Sequence, residues 1–576
     1  MADGNDLVAR MRCAARVGFV AVAMLASCTR APVAEKKAPA AHQWFRDATQ
    51  ELGIDFVHVA GTNYWMPDQI GSGVCLADFD GDGRLDLYFV QNSGTNQPAT
   101  NRFYLQETAG KFRDASAESG LNVSGNGMGA YAADVNNDGR PELLLTEYGI
   151  TRLFVNLGGA RFREVTAECG IDNPRWATAA SFIDYDRDGR LDVVVGNYVD
   201  YDPTQVCRDL HGEQDFCGPQ RFRETVTRIW RNVTCTNGSE PRFEETTETS
   251  GLARARGAVL GLICADFDGD AWPDIFCSDD SRPNRLFINR RDGTFSEEAV
   301  ACGLAYNAMG QTAANMGTAF GDVDGDQRAD LFVTHLTEEF HSLWRQDSPG
   351  VFVDQIAAAG LQQQIWRGTG FGAVFGDFNC DGAPDLAFAN GLVRRLAPPQ
   401  TPAVNGLNGW WSRYAQRPQL FVNTGSGTFR DASVEQSELC GTALVGRSLA
   451  VGDLNNDGLT DIVLCGIASR PRVLINQHRE PGNFLRLRLV DSAAGNRDAI
   501  GAEVTVRSPN RQWWSLCQPA TSYLCSNDPA VHVGLGTATT VDAIEVRWPD
   551  GSRETFTRQD ETKVNTTVVL RKGMAK

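Results

Sequence analysis

The sequence predicts an all-β chain, a seven-bladed β-propeller followed by a small β-rich domain. Three observations predict it. A nine-residue acidic loop, first met as Asp78-Phe-Asp80-Gly-Asp82-Gly-Arg-Leu-Asp86, is written seven times. Each copy leads into a short run rich in β-branched and aromatic residues, such as LDLYFV, LDVVVGN or TDIVLCG, which is strand patterning. Two flanking signals recur with the loop, so the repeat is a complete structural unit.

Acidic oxygens at loop positions 1, 3, 5 and 9, with Gly at 6 for a sharp reversal, are what a hard cation such as Ca²⁺ requires. The first copy supplies Asp78, Asp80, Asp82 and Asp86. The next three supply Asp134, Asn136, Asp138 and Glu142; Asp184, Asp186, Asp188 and Asp192; and Asp266, Asp268, Asp270 and Asp274. The last three supply Asp322, Asp324, Asp326 and Asp330; Asp377, Asn379, Asp381 and Asp385; and Asp453, Asn455, Asp457 and Asp461. One such loop alone reads equally well as a turn whose Asp side chains bond their own backbone. Seven copies in register favour metal, up to seven Ca²⁺.

Upstream of each loop stands a Phe with an acidic residue and usually a Gly-apolar pair, as in FRDASAESGL from Phe112. Between loops lies a second short strand: NRFYLQ, TRLFVN, TRIWRN, NRLFIN, HSLWRQ, PQLFVN and PRVLIN. EF-hand and dockerin loops lead into helices with a 3.6-residue apolar period, which is missing here. One unit is therefore strand, acidic loop, strand, longer connection, strand, Gly turn, strand. Seven such units closing in a ring protect their own edges. The Phe45 segment precedes the first loop, so Phe45–Ala48 is expected to supply the outer strand of the last unit and fasten the ring.

The chain has 576 residues, 42% hydrophobic and 22% charged, a globular composition with room for more than one unit. The formal charge of −18 excludes a nucleic-acid partner, since no basic patch is available to neutralise phosphates. Residues 1–28 read as an export signal, with Arg10, Arg12 and Arg16, an apolar run from Val17 to Ala26, and Leu25-Ala26-Ser27-Cys28. Leu-Ala-Ser-Cys resembles the lipobox of bacterial lipoproteins, which makes Cys28 the lipidated first residue and 29–43 a tether. The implied location is the bacterial cell envelope, exposed to periplasm or cell surface, with the lipid anchor as the sole membrane attachment. Cys207 and Cys217 bracket one insertion and are expected to form a disulfide; Cys517 and Cys525 sit close enough in sequence to close a second loop. Cys75, Cys264, Cys277 and Cys465 lie in apolar runs and read as buried thiols.

With their loops, strands and spacing quoted, the units over 44–478 resemble FG-GAP/VCBS repeats, the calcium-loop blades also found in integrin α-subunit heads. Two loops depart from that pattern, with Ala271 and Gln327 at position 6, where a side chain held at positive φ costs about 1 kcal/mol. After Arg479 the repeat stops, and AIGAEV, GLG and WPDG follow in order. Residues 479–576 thereby resemble an ASPIC/UnbV domain. The whole arrangement is similar to the cartilage acidic protein family and its bacterial relatives, a resemblance that implies no defined biochemical activity.

No HExxH, GxSxG or Walker A motif occurs, and the seven His are scattered. The reading is an exported, lipid-anchored, calcium-binding module for an extracellular or envelope protein or glycan. The alternatives are a carbohydrate-active lyase or hydrolase using the propeller's axial face, and an assembly factor for exported proteins. Strand direction places the cation loops on one face and three long insertions, His58–Gly73, Tyr198–Arg228 and Asn390–Pro418, on the other. Trp65, Tyr201 and Trp411 on those insertions are the expected ligand-contacting aromatics.

Overall fold

The computed structural model describes residues 42–93, 99–395, 406–558 and 560–575. The leader, Cys28 and the tether before His42 lie outside them. Each acidic loop joins two antiparallel strands. In the second sheet Gly127–Ala133 pairs with Glu142–Glu147, which pairs with Thr151–Asn156, which pairs with Phe162–Glu164. Among the described residues strand pairing yields seven sheets of this kind, five of four strands and two with a fifth, Cys525–Ser526 on the first and Ala313–Ala314 on the fourth. Their innermost strands pack consecutively around a ring, and Val445–Gly452 of the seventh meets Val74–Ala77 of the first. The seventh sheet is completed from the other end of the chain, Phe45–Asp47 lying antiparallel to Arg472–Asn476 with Phe45 opposite Asn476.

The strands read as continuous apolar runs because both faces of every sheet are covered. Leu87 and Phe89 pack with Val463 and Val473 of the seventh sheet, whereas Tyr88, pointing the other way, packs with Leu143 and Leu145 of the second. Near the axis the sheets crowd so closely that a Cβ on Gly317 would fall 1.9 Å from the Phe371 carbonyl.

The recurring Gly-apolar pair has a role that patterning alone left open. After the fourth strand the chain makes one helical turn, Ser116–Ser119, Thr166–Cys169 or Ala299–Cys302. Gly120, Gly170 and Gly303 end these turns in the left-handed region, and the next residues, Leu121, Ile171 and Leu304, are buried.

Beyond Asn476 two further four-stranded sheets pack on each other. One contains Asn483–Asp491, Val531–Gly536 and Thr567–Arg571, the other Glu503–Ser508, Arg511–Leu516 and Ala543–Arg547. Leu487, Val504, Val533, Ile544 and Trp548 form their common core. This module does not stand apart from the ring. Its Cys525–Ser526 segment pairs in parallel with Val74–Cys75 of the first sheet. The preceding residues run into the axis, where Tyr523 and Leu524 are buried with Ile70, Met128, Met316 and Phe371. Tyr523 donates its hydroxyl to the Ile70 carbonyl at 3.3 Å, and Ser522 Oγ donates to Leu449 O at 2.9 Å. Here the structure decides against a second loop closed by Cys517 and Cys525, which their spacing allowed. Both are buried free thiols, because Cys525 is carried into the ring while Cys517 stays in the module's own core.

Candidate metal centres

All seven loops share one backbone frame, whatever their side chains. The position-6 N–H donates to the position-1 carboxylate in every copy: Gly83 to Asp78 at 2.9 Å, Gly139 to Asp134 at 2.7 Å, Gly189 to Asp184 at 3.0 Å and Gly382 to Asp377 at 2.7 Å. Gly458 does the same to Asp453 at 2.9 Å, and so do the two departures, Ala271 to Asp266 at 2.8 Å and Gln327 to Asp322 at 2.9 Å. Ala271 and Gln327 hold φ of 74° and 68°, so the frame is kept at the steric cost a glycine avoids. Position 4 is left-handed too, as Gly81, Gly269 and Gly325 but also as Asn137, Arg187, Cys380 and Asn456.

The frame converges the carboxylates. One oxygen from each of Asp78, Asp80 and Asp82 lies within 4.8 Å of the others, as do those of Asp184, Asp186 and Asp192, of Asp266, Asp268 and Asp274, and of Asp322, Asp324 and Asp330. In the three loops with Asn at position 3, the amide nitrogen turns toward position 5, as from Asn379 to Asp381 at 2.9 Å and from Asn455 to Asp457 at 2.8 Å. Asn136 likewise donates to Asp138 at 3.2 Å, and its amide oxygen is buried without a hydrogen-bond partner, as is Asp184 Oδ1. Oxygen donors in a converging cluster, with buried lone pairs left over, fit a hard divalent cation.

Position 9 supplies the buried anchor. Asp86 accepts from Phe79 N at 3.0 Å and from Gln106 N at 2.8 Å, and Asp461 accepts from Leu454 N at 2.8 Å and Asn476 N at 2.7 Å. Burial, reinforced by neighbouring loop acids, pushes Asp86 and Asp330 up to about 8 and Asp377 to about 7. Asp134, Asp184, Asp322 and Asp453 rise to about 6 for the same reasons, while Glu142, Asp192, Asp274, Asp385 and Asp461 stand well above the carboxylate range. Acids raised in this way keep their protons to higher pH than ordinary carboxyls, so a cation competes with protons for them. Position 5 is shared with arginine: Asp188 pairs with Arg190 at 2.6 Å and Asp270 with Arg291 at 2.8 Å, and Asp82, Asp138 and Asp326 pair with Arg84, Arg140 and Arg328.

One set of residues escaped sequence reasoning although its signal was in plain view. Each third strand carries a Gln or Asn at or near its end: Gln106, Asn156, Asn232, Asn289, Gln346, Asn423 and Asn476. Each side-chain amide donates, at 2.7–2.9 Å, to the position-2 carbonyl of the preceding sheet's loop, and the Gln106 amide reaches Leu454 of the seventh. Seven amide latches thus tie each loop to the next sheet around the whole ring.

The ASPIC and UnbV model matches residues 492–576, and the FG-GAP-like repeat model matches residues 78–145, 134–195, 266–333 and 410–464. The chain is an FG-GAP-repeat protein with a C-terminal ASPIC/UnbV domain. It is similar to Cartilage acidic protein 1 of Xenopus tropicalis, 24% identical over 512 residues, covering 85% of this chain and 72% of that protein. Cartilage acidic protein 1 of Mus musculus is 25% identical over 542 residues, covering 88% and 77%. Among solved structures, an Agrocybe aegerita protein described as recognising non-reducing terminal N-acetylglucosamine matches at a TM-score of 0.37 and 16% identity, over 71% of this chain and 88% of that one.

The ASPIC/UnbV domain lies on the cation-loop face of the FG-GAP repeats. Arg497 donates to Asn137 Oδ1 at 2.9 Å, Arg547 Nη2 to Asp266 Oδ2 at 2.9 Å, and Arg488 reaches within 3.9 Å of Asp78. Gly482 N and Gly536 N donate to the Asn379 and Cys380 carbonyls at 2.9 Å, and His532 meets Gly458 O at 2.9 Å. Trp514 stands edge-on to Phe320, beside the fifth loop.

On the opposite face the insertions lock together. Cys207 and Cys217 are disulfide-bonded. Trp411 is 0% exposed, enclosed by Phe216, Tyr414 and Trp410, and Tyr414 donates to Asp215 Oδ1 at 2.8 Å. The expectation that Trp411 meets a ligand is therefore corrected: it is core, buried because two insertions close over it. Trp65 and Tyr201 are half-buried, and Tyr201 accepts a hydrogen bond from Met66 N at 3.2 Å. Val206 and Leu210, in and beside the disulfide loop, are 62% and 104% exposed.

Proposed function

We infer that the protein is an exported, lipid-anchored, Ca²⁺-binding propeller that recognises an extracellular or envelope protein or glycan. The observation that carries the calcium is the convergence of oxygens within 4.8 Å in four loops built on one repeated frame. In the remaining loops, the oxygen-bearing side chains of Asp134, Asn136, Asp138 and Glu142, of Asp377, Asn379, Asp381 and Asp385, and of Asp453, Asn455, Asp457 and Asp461 stand in that same frame. The loops hold the metal as a structural element, since the ASPIC/UnbV domain covers their face. Recognition then belongs to the insertion face, where Trp65, Tyr201, Val206 and Leu210 offer accessible apolar surface on a rigid scaffold. A binding role is favoured over catalysis at the axial face, because Tyr523, Leu524 and Phe371 fill the axis such an enzyme would use. Similarity to proteins named for cartilage supports an extracellular setting, and the lipobox at Cys28 supports an envelope anchor.

The test is elemental analysis of the purified mature protein, with melting in Ca²⁺ and in excess chelator. Bound calcium and a lower melting temperature in chelator are expected. A metal-free protein with an unchanged transition overturns the reading.

A further inference from the structure

Between the first two cation loops and the ASPIC/UnbV domain lies a cavity of about 200 Å³, bordered by Asp78, Asp134, Arg486, Arg488 and Arg497. Three of the four arginines in its lining are neutralised, Arg84 by Asp82. Arg486 pairs with Asp528 at 2.7 Å and Arg488 with Asp498 at 2.8 Å. Arg497 is not. It is 3% exposed, its side chain donates to the neutral amide oxygen of Asn137, and its Nε has no partner among the described residues. The charges that offset it from further away are loop carboxylates, Asp184, Asp134 and Asp192, together with Asp491. Loading of the second and third loops would commit the first three of those to the cation. A guanidinium buried beside cations and left without its own anion is an unfavourable arrangement that a bound anion relieves.

The floor of the cavity is apolar, with Leu76, Ala132 and Pro519 among its lining. One unmatched positive charge over an apolar floor suits one negative charge on a carbon skeleton, and the volume lies below that of pockets for drug-sized molecules. We propose that this cavity binds a small organic carboxylate through Arg497, and that it does so when the adjoining loops hold Ca²⁺. The proposal rests on the calcium reading and deepens it: anion and metal each raise the other's affinity, because the loop carboxylates repel the anion until the metal neutralises them.

Isothermal titration of the mature chain with acetate, L-lactate and D-glucuronate, in Ca²⁺ and in chelator, tests it. Saturable binding of at least one carboxylate in Ca²⁺ is expected, with D-glucose silent and binding lost in chelator. Arg497→Gln should weaken binding roughly tenfold or more, the loss of one charge-assisted contact. Ala530→Trp, at another lining position, should weaken it with calcium content and melting unchanged, and it decides the matter if Arg497→Gln does not fold. Arg507→Gln, at a guanidinium paired with Glu545 outside the cavity lining, should bind as wild type. A calcium-loaded protein that binds none of the three carboxylates, or an Ala530→Trp variant that binds like wild type, overturns the proposal. A protein without calcium overturns the metal reading first, so the two failures are distinguishable.

Discussion

Asn476 and Phe378 belong to neighbouring sheets and are joined by a 2.8 Å hydrogen bond from the Asn476 side-chain amide to the Phe378 carbonyl, while Asn476 N donates to Asp461 at 2.7 Å. One residue thus holds a candidate metal ligand and the preceding loop at once. Asn476→Ala leaves the buried Phe378 carbonyl without that donor, which should cost about 1–3 kcal/mol. Urea unfolding of the variant in Ca²⁺ checks this; an unchanged midpoint would show that the latch is energetically idle.

The raised loop acids set a pH dependence for the metal-free protein. A carboxyl whose folded value lies above its unfolded value stabilises the fold below the unfolded value, and that contribution is lost as pH rises through the folded one. With Asp86 and Asp330 at about 8, Asp377 at about 7 and four others at about 6, stability in chelator should fall from about pH 4 to pH 8. Each site held at 100 times its Kd adds roughly 2.7 kcal/mol, so the gain from Ca²⁺ should widen over the same window. Melting curves at several pH values, with and without chelator, read this directly, and parallel curves would contradict it.

Tyr523 should behave as a core residue of the ring although it belongs to the C-terminal module. It is 0% exposed against Ile70 and Phe371. Tyr523→Ala should cost about 3–5 kcal/mol and lower the propeller's own transition. Calorimetry showing a ring transition that stays put would mean the axis does not depend on this plug.

The insertion face separates two kinds of aromatic residue. Trp411→Ala should destabilise by about 3–5 kcal/mol, as a buried tryptophan does. Trp65→Ala and Tyr201→Ala should weaken capture of a partner from envelope extracts with calcium content and melting intact. Capture lost only by substitutions in the C-terminal domain would move the binding surface there.

Cys28→Ala should release the protein from the membrane fraction. Wild type and variant partitioning alike, both bound or both soluble, would refute the lipid anchor.

Loop and repeat were legible because they are local. Nine consecutive residues carry a metal-loop frame, alternation within a strand reports its faces, and a segment such as Phe45–Asp47 can be assigned to the far end of the chain once six other copies show where it belongs. Even the amide latches were spelled in sequence, as the Gln or Asn at or near the end of each third strand, but a carbonyl on another sheet is the partner that gives those letters meaning. What tertiary structure alone decided are the contacts between remote segments. Trp411 reads as a ligand residue from its loop and becomes core because Phe216, nearly two hundred residues earlier, closes over it. Cys525 is spaced to close a loop with Cys517 and instead joins a strand of the first sheet. Arg497 and Arg547 read as ordinary charges of a terminal domain and come to rest at the cation loops. Local sequence sets backbone conformation and face, while burial and charge neutralisation depend on which surface arrives from elsewhere in the chain.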